Sequence, residues 1–407
     1  MKVAGIIAEY NPFHKGHAHM INMVKSAGFD ACVAVVSGCF VQRGDAGICS
    51  KWARAEMALL GGVDLVIEMP VCYSMSGAQT FAGAGVSLID GIGVVDSLCF
   101  GSESGRLAPL LRTADALSSV EFEAFLAEEL SGGATFAAAR TAAAARIEPE
   151  TAELLRRPND TLAIEYILAM RRFAVGLTPF TIKREGAMHD SEAAEGQFMS
   201  ASQIRKMITL GSDISAFVPK STADILQREA QKGLAPASIA AHERVVLAAL
   251  RQKSRSGFAA LPDISEGLEN RLYAASRRAV TIENFLDLCK TKRYTMARLR
   301  RLMLAAFLGQ DKSAPPVPPY IRVLGFNSIG AELLKKAKKT ATLPIIVKPA
   351  AIKALDKAAQ MVFEWESAAQ DLWGLFVPDA PECGADYTTS PITVRYYNIL
   401  MEELTCQ

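Results

Sequence analysis

The start of the chain alternates between short apolar runs and stretches whose apolar residues have helical spacing. The apolar runs lie at residues 3–8, 31–36, 63–68 and 94–100. The helical stretches between them lie at 17–27, 51–60 and 77–90. Apolar strands separated by helices predict a parallel sheet covered on both faces, and such sheets bind ligands at the carboxyl ends of their strands. Glu9, Ser37, Glu68 and Glu103 are expected at that edge.

Helical spacing replaces this alternation in the second half of the chain. Helices are predicted at about residues 221–232, 237–253, 265–278, 281–290 and 294–308. Few strands are expected beyond residue 215, and the proline-rich segment 314–319 is expected to be a rigid connector. We therefore predict an α/β domain with a Rossmann-like parallel sheet at residues 1–215 and a mainly helical domain at residues 216–407.

The composition is that of a folded protein without a membrane anchor. The chain has 407 residues, of which 50% are hydrophobic, and a formal net charge of +1, which excludes a disordered chain. Its eight cysteines form no Cys-x-x-Cys pair, so reduced thiols and no zinc site are expected. No apolar run reaches the ~18 residues of a membrane span, and no signal peptide precedes the first strand. We expect a cytoplasmic protein with no membrane partner.

The turn after the first apolar run carries the most distinctive chemistry. Asn11-Pro12 breaks the strand, and His14 and His17 flank Gly16 just before a helix. The free N–H groups and partial positive charge of a helix N-terminus attract anions, and imidazoles donate hydrogen bonds to phosphate oxygens. We interpret the two histidines as a phosphate site. The alternative is that they only cap the helix.

A His-x-Gly-His sequence between a strand and a helix is the signature of the adenylyl-transferring α/β superfamily, which cleaves ATP between its α and β phosphates. Four stretches resemble one family within it, the bacterial tRNA(Met) cytidine acetate ligases: residues 7–17, 37–44, 51–57 and 63–70. The resemblance runs, with gaps, to about residue 330. Lys15 stands where this family often has asparagine, and it adds a cation near the phosphates.

The resemblance implies a nucleotidyltransferase-like first domain and a specific reaction. Those enzymes activate acetate with ATP and acetylate N4 of the anticodon wobble cytidine of elongator tRNA(Met). By this resemblance the chain is a ligase that uses ATP, acetate and elongator tRNA(Met), with His14 and His17 as its catalytic residues. Mg²⁺ is expected to arrive with the nucleotide, because the sequence shows no compact carboxylate cage.

The predicted ATP site adds residues at strand ends and helix starts to this turn. Gly101 follows a strand, Arg184 ends another, and residues 199–205 resemble the superfamily's second signature, Ile-Ser-Ser-Thr-x-Ile-Arg, with the arginine kept as Arg205. In the resemblance Asn159 reads the adenine or ribose; the alternatives are a capping asparagine there and an ordinary turn glycine at residue 101. The full predicted ATP-binding set is Ile7, Ala8, Glu9, Tyr10, Asn11, Pro12, Phe13, His14, Lys15, Gly16, His17, Ala18, His19, Met20, Gly101, Asn159, Arg184, Ser202 and Arg205.

A basic run in the second domain indicates an RNA partner. Residues 290–301 contain six cations, one tyrosine and no acid. A positive face with a stacking aromatic suits an RNA backbone and an exposed base, although such runs are often only solvated helix faces. The predicted tRNA-binding residues are Lys290, Lys292, Arg293, Arg298, Arg300 and Arg301.

Two other functions remain open at this point. The same histidines could serve a small-molecule adenylyltransferase, but a small acceptor needs no basic helical half. A catalytically silent RNA-binding protein could keep a relic of the nucleotide fold, but both histidines and Arg205 are present. The sequence favours the acetate–tRNA ligase.

Overall fold

The computed structural model describes residues 1–174, 176–184, 198–265 and 267–395. Its centre is an eight-stranded sheet, beside which lies a two-stranded hairpin. The strands are β1 (Val3–Ala8), β2 (Ala31–Ser37), β3 (Phe40–Val41), β4 (Asp45–Ala46), β5 (Leu65–Met69), β6 (Ser97–Ser102), β7 (Thr178–Lys183), β8 (Ile321–Phe326), β9 (Ile345–Ile346) and β10 (Ile392–Thr393).

Helices make up most of the remaining chain. Those before residue 215 are α1 (Lys15–Ser26), α2 (Lys51–Leu60), α3 (Val71–Ser74), α4 (Ala78–Gly91), α5 (Leu107–Leu117), α6 (Val120–Ser131), α7 (Phe136–Ile147), α8 (Pro149–Leu154), α9 (Pro158–Phe173) and α10 (Ala201–Thr209). Those after it are α11 (Lys220–Gln231), α12 (Glu243–Gln252), α13 (Arg255–Ala259), α14 (Leu268–Arg278), α15 (Ile282–Cys289), α16 (Met296–Phe307), α17 (Ser328–Thr340), α18 (Lys357–Trp373) and α19 (Ala385–Thr388), with 3-10 helices at Pro349–Ala354 and Gly374–Phe376.

The predicted parallel sheet is confirmed. Its main path has the order β10-β8-β5-β2-β1-β6-β7, and the five strands from β5 to β7 are parallel. Alternate residues of these strands contribute to two cores, one shared with α4 and α9 and the other with α1 and α2. Strand order reverses at β1, whose neighbours are β2 and β6, so the turn after β1 lies at the switch point where such sheets bind ligands.

The expectation of few strands beyond residue 215 missed an edge of the central sheet. β8 pairs antiparallel with β5, and β9 and β10 both pair with β8. The sequence pattern does not indicate this edge, because β8 is separated from its partner β5 by about 250 residues. No strand-helix-strand unit next to β8 in the sequence marks it as part of the sheet. The sheet therefore contains strands from both sides of residue 215, and the division into domains at 215 and 216 stays a prediction.

A second apolar core fills the helical part of the molecule. It is formed by α12, α14, α15, α16 and α18, with Phe258, Phe285 and Trp373 buried among them. The β3–β4 hairpin also belongs to it, because Phe40 is fully buried there and its ring meets Phe376 edge-on at 6.2 Å. In the described residues, no helix combines the length and apolar character that a membrane crossing needs.

Five buried ionisable side chains connect the sheet to the last helices, and we call them the buried ionic cluster: Lys51, Glu68, Arg322, Glu366 and Asp386. The Lys51 ammonium lies 2.6 Å from Glu68 Oε1, 2.8 Å from Asp386 Oδ1 and 3.1 Å from Glu366 Oε1. Arg322 bonds Asp386 and lies 3.4 Å from Glu68 Oε2. Burial raises the pKa of Glu366 to about 8. Glu68, expected at the ligand edge, is therefore used inside this cluster.

Candidate active site

The turn after β1 is held by the side chain of Asn11. Asn11 Oδ1 accepts a hydrogen bond from Ile48 N at 2.7 Å, and its Nδ2 donates to Ala46 O at 3.3 Å. Tyr10 has a positive φ of 46°, and the Asn11-Pro12 peptide bond is cis. These contacts fasten the turn to the β3–β4 hairpin, so the start of α1 projects from a fixed base.

The two predicted histidines lie together at the N-terminus of α1. His14 Nδ1 accepts a hydrogen bond from Gly16 N at 3.1 Å, and His17 Nδ1 accepts one from His14 N at 3.2 Å. Their rings stack with centroids 3.7 Å apart. A side chain at Gly16 would crowd this arrangement, because its Cβ would lie 3.0 Å from His14 Cε1. The two histidines therefore do cap α1, as the alternative interpretation expected. Capping uses only Nδ1 of each ring.

The other ring nitrogens are available as donors. Burial, reinforced by Arg184, lowers the pKa of His14 to about 3, and burial followed by His14 lowers the pKa of His17. Both imidazoles are therefore neutral at pH 7. A neutral imidazole whose Nδ1 accepts a hydrogen bond carries its proton on Nε2. The hydrogen-bond pattern thus assigns two neutral Nε2–H donors at a helix N-terminus, which is suited to phosphate oxygens.

Several side chains of the predicted ATP-binding segment, residues 7–20, lie in or against the hydrophobic cores. Tyr10 and Phe13 are buried in the core on the α1 side of the sheet, and Ala8, Ala18 and Met20 pack against that core. Ile7 packs against the opposite core. Lys15 is exposed, and the ring of His19 lies 5.4 Å from that of Phe198. A ligand would therefore meet this segment mainly through its backbone, the two histidines and Lys15.

A buried arginine that the sequence did not single out holds the strand ends together. Arg54 Nη1 donates to Glu9 O at 2.8 Å and to Ser37 O at 3.0 Å, and its Nη2 donates to Gly38 O. The side chain of Glu9 accepts from Gln42 N at 2.8 Å, and burial raises the pKa of Glu9. The sequence signal that could have identified Arg54 is its place in the stretch 51–57, which resembles the ligase family.

The predicted residues Gly101, Asn159 and Arg184 come together at the ends of β6 and β7. Asn159 Oδ1 accepts from Arg184 Nη1 at 3.2 Å, and a Cβ at Gly101 would lie 3.0 Å from Arg184 Cγ. Glu103 Oε1 accepts from Asn159 N at 3.0 Å and from Asn159 Nδ2 at 2.6 Å, while its Oε2 accepts from Asp160 N at 2.7 Å. Glu103 therefore caps α9, and neither Asn159 nor Asp160 does so.

The second signature reaches the histidine turn through its arginine. Ser200 caps α10, with its Oγ 3.3 Å from Gln203 N and 3.0 Å from Ser202 Oγ. Arg205, on the same helix, donates from Nη1 to Asn11 O at 2.9 Å. The two signatures, which lie far apart in the sequence, are thus joined by one hydrogen bond.

Some cations of the basic run are bound to protein groups, and others are exposed to solvent. Arg298 Nε lies 3.1 Å from Asp263 Oδ2, and Arg301 Nη1 donates to Gln42 O at 3.2 Å. Lys290 Nζ donates to Tyr294 O at 2.5 Å. The other predicted tRNA-binding cations, Lys292, Arg293 and Arg300, are exposed. The run thus contacts the β3–β4 hairpin at Arg301 and presents the charges of Lys292, Arg293 and Arg300 to solvent.

Comparison with known proteins agrees with this geometry. The HIGH Nucleotidyl Transferase family matches residues 1–385. The tRNA(Met) cytidine acetate ligase of Thermoanaerobacter sp. (strain X514) is 39% identical over 397 residues, which cover 95% of this chain and 98% of that protein. That of Caldanaerobacter subterraneus subsp. tengcongensis is 40% identical over 385 residues, which cover 92% and 95%. The chain belongs to the tRNA(Met) cytidine acetate ligase family.

A solved structure of this ligase family has the same fold. Apo Thermotoga maritima TmcAL superposes with a TM-score of 0.93 at 33% identity, covering 97% of this chain and 100% of that one. A second crystal structure of TmcAL, bound with alpha-thio ATP, gives a TM-score of 0.91 at 32% identity. The family and fold predictions are confirmed, while the individual ATP- and tRNA-binding residues stay predictions.

Proposed function

We propose that the chain is an ATP-dependent acetate ligase that acetylates N4 of the wobble cytidine of elongator tRNA(Met) in the cytoplasm. The observation that carries this proposal is the pair of neutral imidazoles at the start of α1, with both Nδ1 atoms used by backbone N–H groups. The ligases that resemble this chain over nearly its full length support the choice of acetate and tRNA(Met).

In the first step, an acetate oxygen attacks the α-phosphorus of ATP. The bond to the bridging oxygen breaks, pyrophosphate leaves with the electron pair, and acetyl-adenylate remains. His14 and His17 donate Nε2–H to oxygens of the α-phosphate and the leaving pyrophosphate, and Arg184 and Arg205 offset the negative charge. Such donors act by position and charge and need no proton transfer of their own.

Magnesium enters as part of the MgATP substrate. In the described ranges, no group of three or more His, Cys, Asp or Glu side chains has the arrangement of a metal site. Two described carboxylates at strand ends already accept protein hydrogen bonds, Glu9 from Gln42 N and Glu103 from Asn159 and Asp160. The phosphates of MgATP would supply most of the ligands of the cation.

Asn159 contributes to the nucleotide site by holding Arg184. Its Nδ2 is taken by Glu103, and its Oδ1 accepts from Arg184. A carbonyl oxygen has two lone pairs, so Oδ1 retains one for a ribose hydroxyl. Gly101 belongs to the same group, because its missing side chain leaves space for the Arg184 stem.

In the second step, cytidine N4 attacks the acetyl carbonyl. The C–O bond to the α-phosphate breaks, AMP leaves, and the amine loses a proton. An exocyclic cytosine amine is a weak nucleophile, which is why the acetyl group must be activated first. The exposed cations of the basic run, Lys292, Arg293 and Arg300, bind the tRNA backbone during this step.

Labelled acetate tests the proposal directly. Wild-type protein is incubated with labelled acetate, ATP and unmodified tRNA(Met), and each component is omitted in turn. We expect label in tRNA only in the complete mixture, N4-acetylcytidine after nuclease digestion, and acetate-dependent pyrophosphate release without tRNA. Transfer of AMP to a small acceptor would favour a small-molecule adenylyltransferase. Binding of tRNA without pyrophosphate release would favour a silent RNA-binding protein.

A further inference from the structure

A continuous groove runs along α14 in the helical part of the molecule. It consists of two adjoining cavities of about 450 and 370 Å³, both of which are lined by Gly267 and Arg271. The first extends to the loop before α16 at residues 291–294, and the second extends along α14 to Arg278. We call this surface the α14 groove.

The α14 groove is lined by cations on both sides. Arg271 and Arg278 lie on α14, and Lys292 and Arg293 lie on the opposite loop, with all four side chains exposed. The lining contains no carboxylate among the described residues. A polyanion is therefore the ligand that its charge favours.

The arginines of α14 are spaced to contact different charges of one ligand. Arg271 and Arg278 are seven positions apart, which places them on the same face of the helix, about 10 Å apart along its axis. A polymer with regularly repeated charges could meet both arginines, whereas a single small anion could not.

An aromatic ring closes one end of the groove. Tyr294 lines the first cavity, and the guanidinium of Arg298 lies 5.5 Å above its ring. Arg298 is fixed in turn by Asp263, and Lys290 bonds the Tyr294 carbonyl oxygen. A ring that is held in this way, beside a row of cations, matches the combination of stacking and charge that binds unpaired nucleotides.

The groove is also connected to the nucleotide site. The loop at 291–294 leads into α16, whose first turns reach the β3–β4 hairpin through the bond from Arg301 to Gln42 O. Gly44 on that hairpin fits tightly there, since a Cβ would lie 2.7 Å from Arg301 N. Gln42 itself donates to Glu9 beside the histidine turn.

We propose that the α14 groove binds an unpaired loop of the RNA substrate, with phosphates on Arg271, Arg278, Lys292 and Arg293 and a base on Tyr294. This inference rests on the proposed function, since it assumes that RNA is the acceptor. It assigns RNA contacts to Arg271 and Arg278, which lie outside the basic run, and a stacking role to Tyr294. A loop is favoured over a duplex because only an unpaired base exposes its face to the ring.

The phosphate contacts are tested with a pair of double variants. R271A/R278A removes two exposed charges from the groove, and K336A/K339A removes two exposed charges from α17, which packs on the sheet. Binding of unmodified tRNA(Met) is measured across salt concentrations, and acetate-dependent pyrophosphate release is measured without tRNA. We expect R271A/R278A to bind about tenfold more weakly, with a salt slope shallower by about 1.4, and to release pyrophosphate like wild type.

The stacking contact is tested at Tyr294. Y294A should weaken binding of a tRNA(Met) anticodon stem-loop at least fivefold, while Y294F, which keeps the ring, should stay within about twofold of wild type. Unchanged affinity and salt slope in R271A/R278A would overturn the groove assignment, as would an equal loss in K336A/K339A. A fully paired RNA that competes as well as the stem-loop would overturn the assignment to a loop. If wild type bound no tRNA at all, the proposed function itself would fail.

Discussion

Two substitutions of His14 separate the two tasks of one imidazole. His14 Nδ1 caps α1 by accepting from Gly16 N at 3.1 Å, and Nε2–H is left to donate to a phosphate. An asparagine has an acceptor near the position of Nδ1 but no group that reaches the position of Nε2. A glutamine has the opposite property, because its amide N–H extends to about the position of Nε2.

The expected magnitudes differ for stability and for catalysis. Loss of a helix cap costs about 1 kcal/mol, and asparagine is among the best capping residues. Loss of one preorganised donor to developing charge slows a reaction about 10²- to 10³-fold. H14N should therefore keep wild-type stability within about 0.5 kcal/mol but form adenylate about 10²- to 10³-fold more slowly. H14Q should lose about 1 kcal/mol of stability and form adenylate at least about tenfold faster than H14N.

Pyrophosphate release with acetate and ATP, followed in a single turnover, measures the catalytic effect, and urea unfolding measures stability. The rate should also show no inflection near pH 6.5 from this residue, since burial lowers the pKa of His14 to about 3. The reverse order of rates, with H14N active and H14Q inactive, would mean that capping alone explains the requirement for His14. An inflection near pH 6.5 that disappeared in H14N would mean that the charged form of the His14 imidazole takes part in adenylate formation.

The buried ionic cluster leads to two further predictions. K51M should lower the free energy of unfolding by about 3–5 kcal/mol, because it leaves buried carboxylates without the ammonium that pairs with them, and a loss below about 1 kcal/mol in urea unfolding would contradict this. E366Q should alter the pH dependence of stability. The raised pKa of Glu366, about 8 against 4.5 in the unfolded chain, gives a contribution that is complete below pH 4.5 and is lost as pH rises through 8. Wild type should thus lose about 1 kcal/mol more stability than E366Q between pH 6.5 and 7.5, and equal slopes for the two proteins would refute the assignment.

The parts of the site that follow directly from local sequence were predictable. β1, the break at Asn11-Pro12 and the start of α1 are consecutive in the chain, so the position of His14 and His17 required no long-range information. Gly101 and Arg184 lie at one edge as expected, because the carboxyl ends of parallel strands must lie together; Arg184 follows β7, but Gly101 lies within β6 and does not follow it.

The partners of these residues were not predictable from pattern. Glu103 caps α9 from a distant strand end, and Arg54 binds three carbonyl oxygens that only the folded sheet brings together. Arg271 and the basic run line one groove between α14 and the loop at 291–294, and the pattern of α14 itself gives no sign of this. Hydrophobic periodicity indicates which face of a helix or strand is buried, but it does not indicate which other element packs against that face.

β8 lies far along the chain from β5, the strand with which it pairs, and this separation has a consequence during synthesis of the protein. β5 and Lys51 leave the ribosome early, but β8, Glu366 and Asp386 follow roughly 250 to 335 residues later, which is about 13 to 67 s at 5–20 residues per second. During that interval one edge of β5 has no partner strand, and the ammonium of Lys51 lacks two of its acidic partners, Glu366 and Asp386. The nascent chain therefore carries an open sheet edge that invites pairing with other chains. The N-terminal half is synthesised first, but its sheet cannot be completed until β8 has been synthesised.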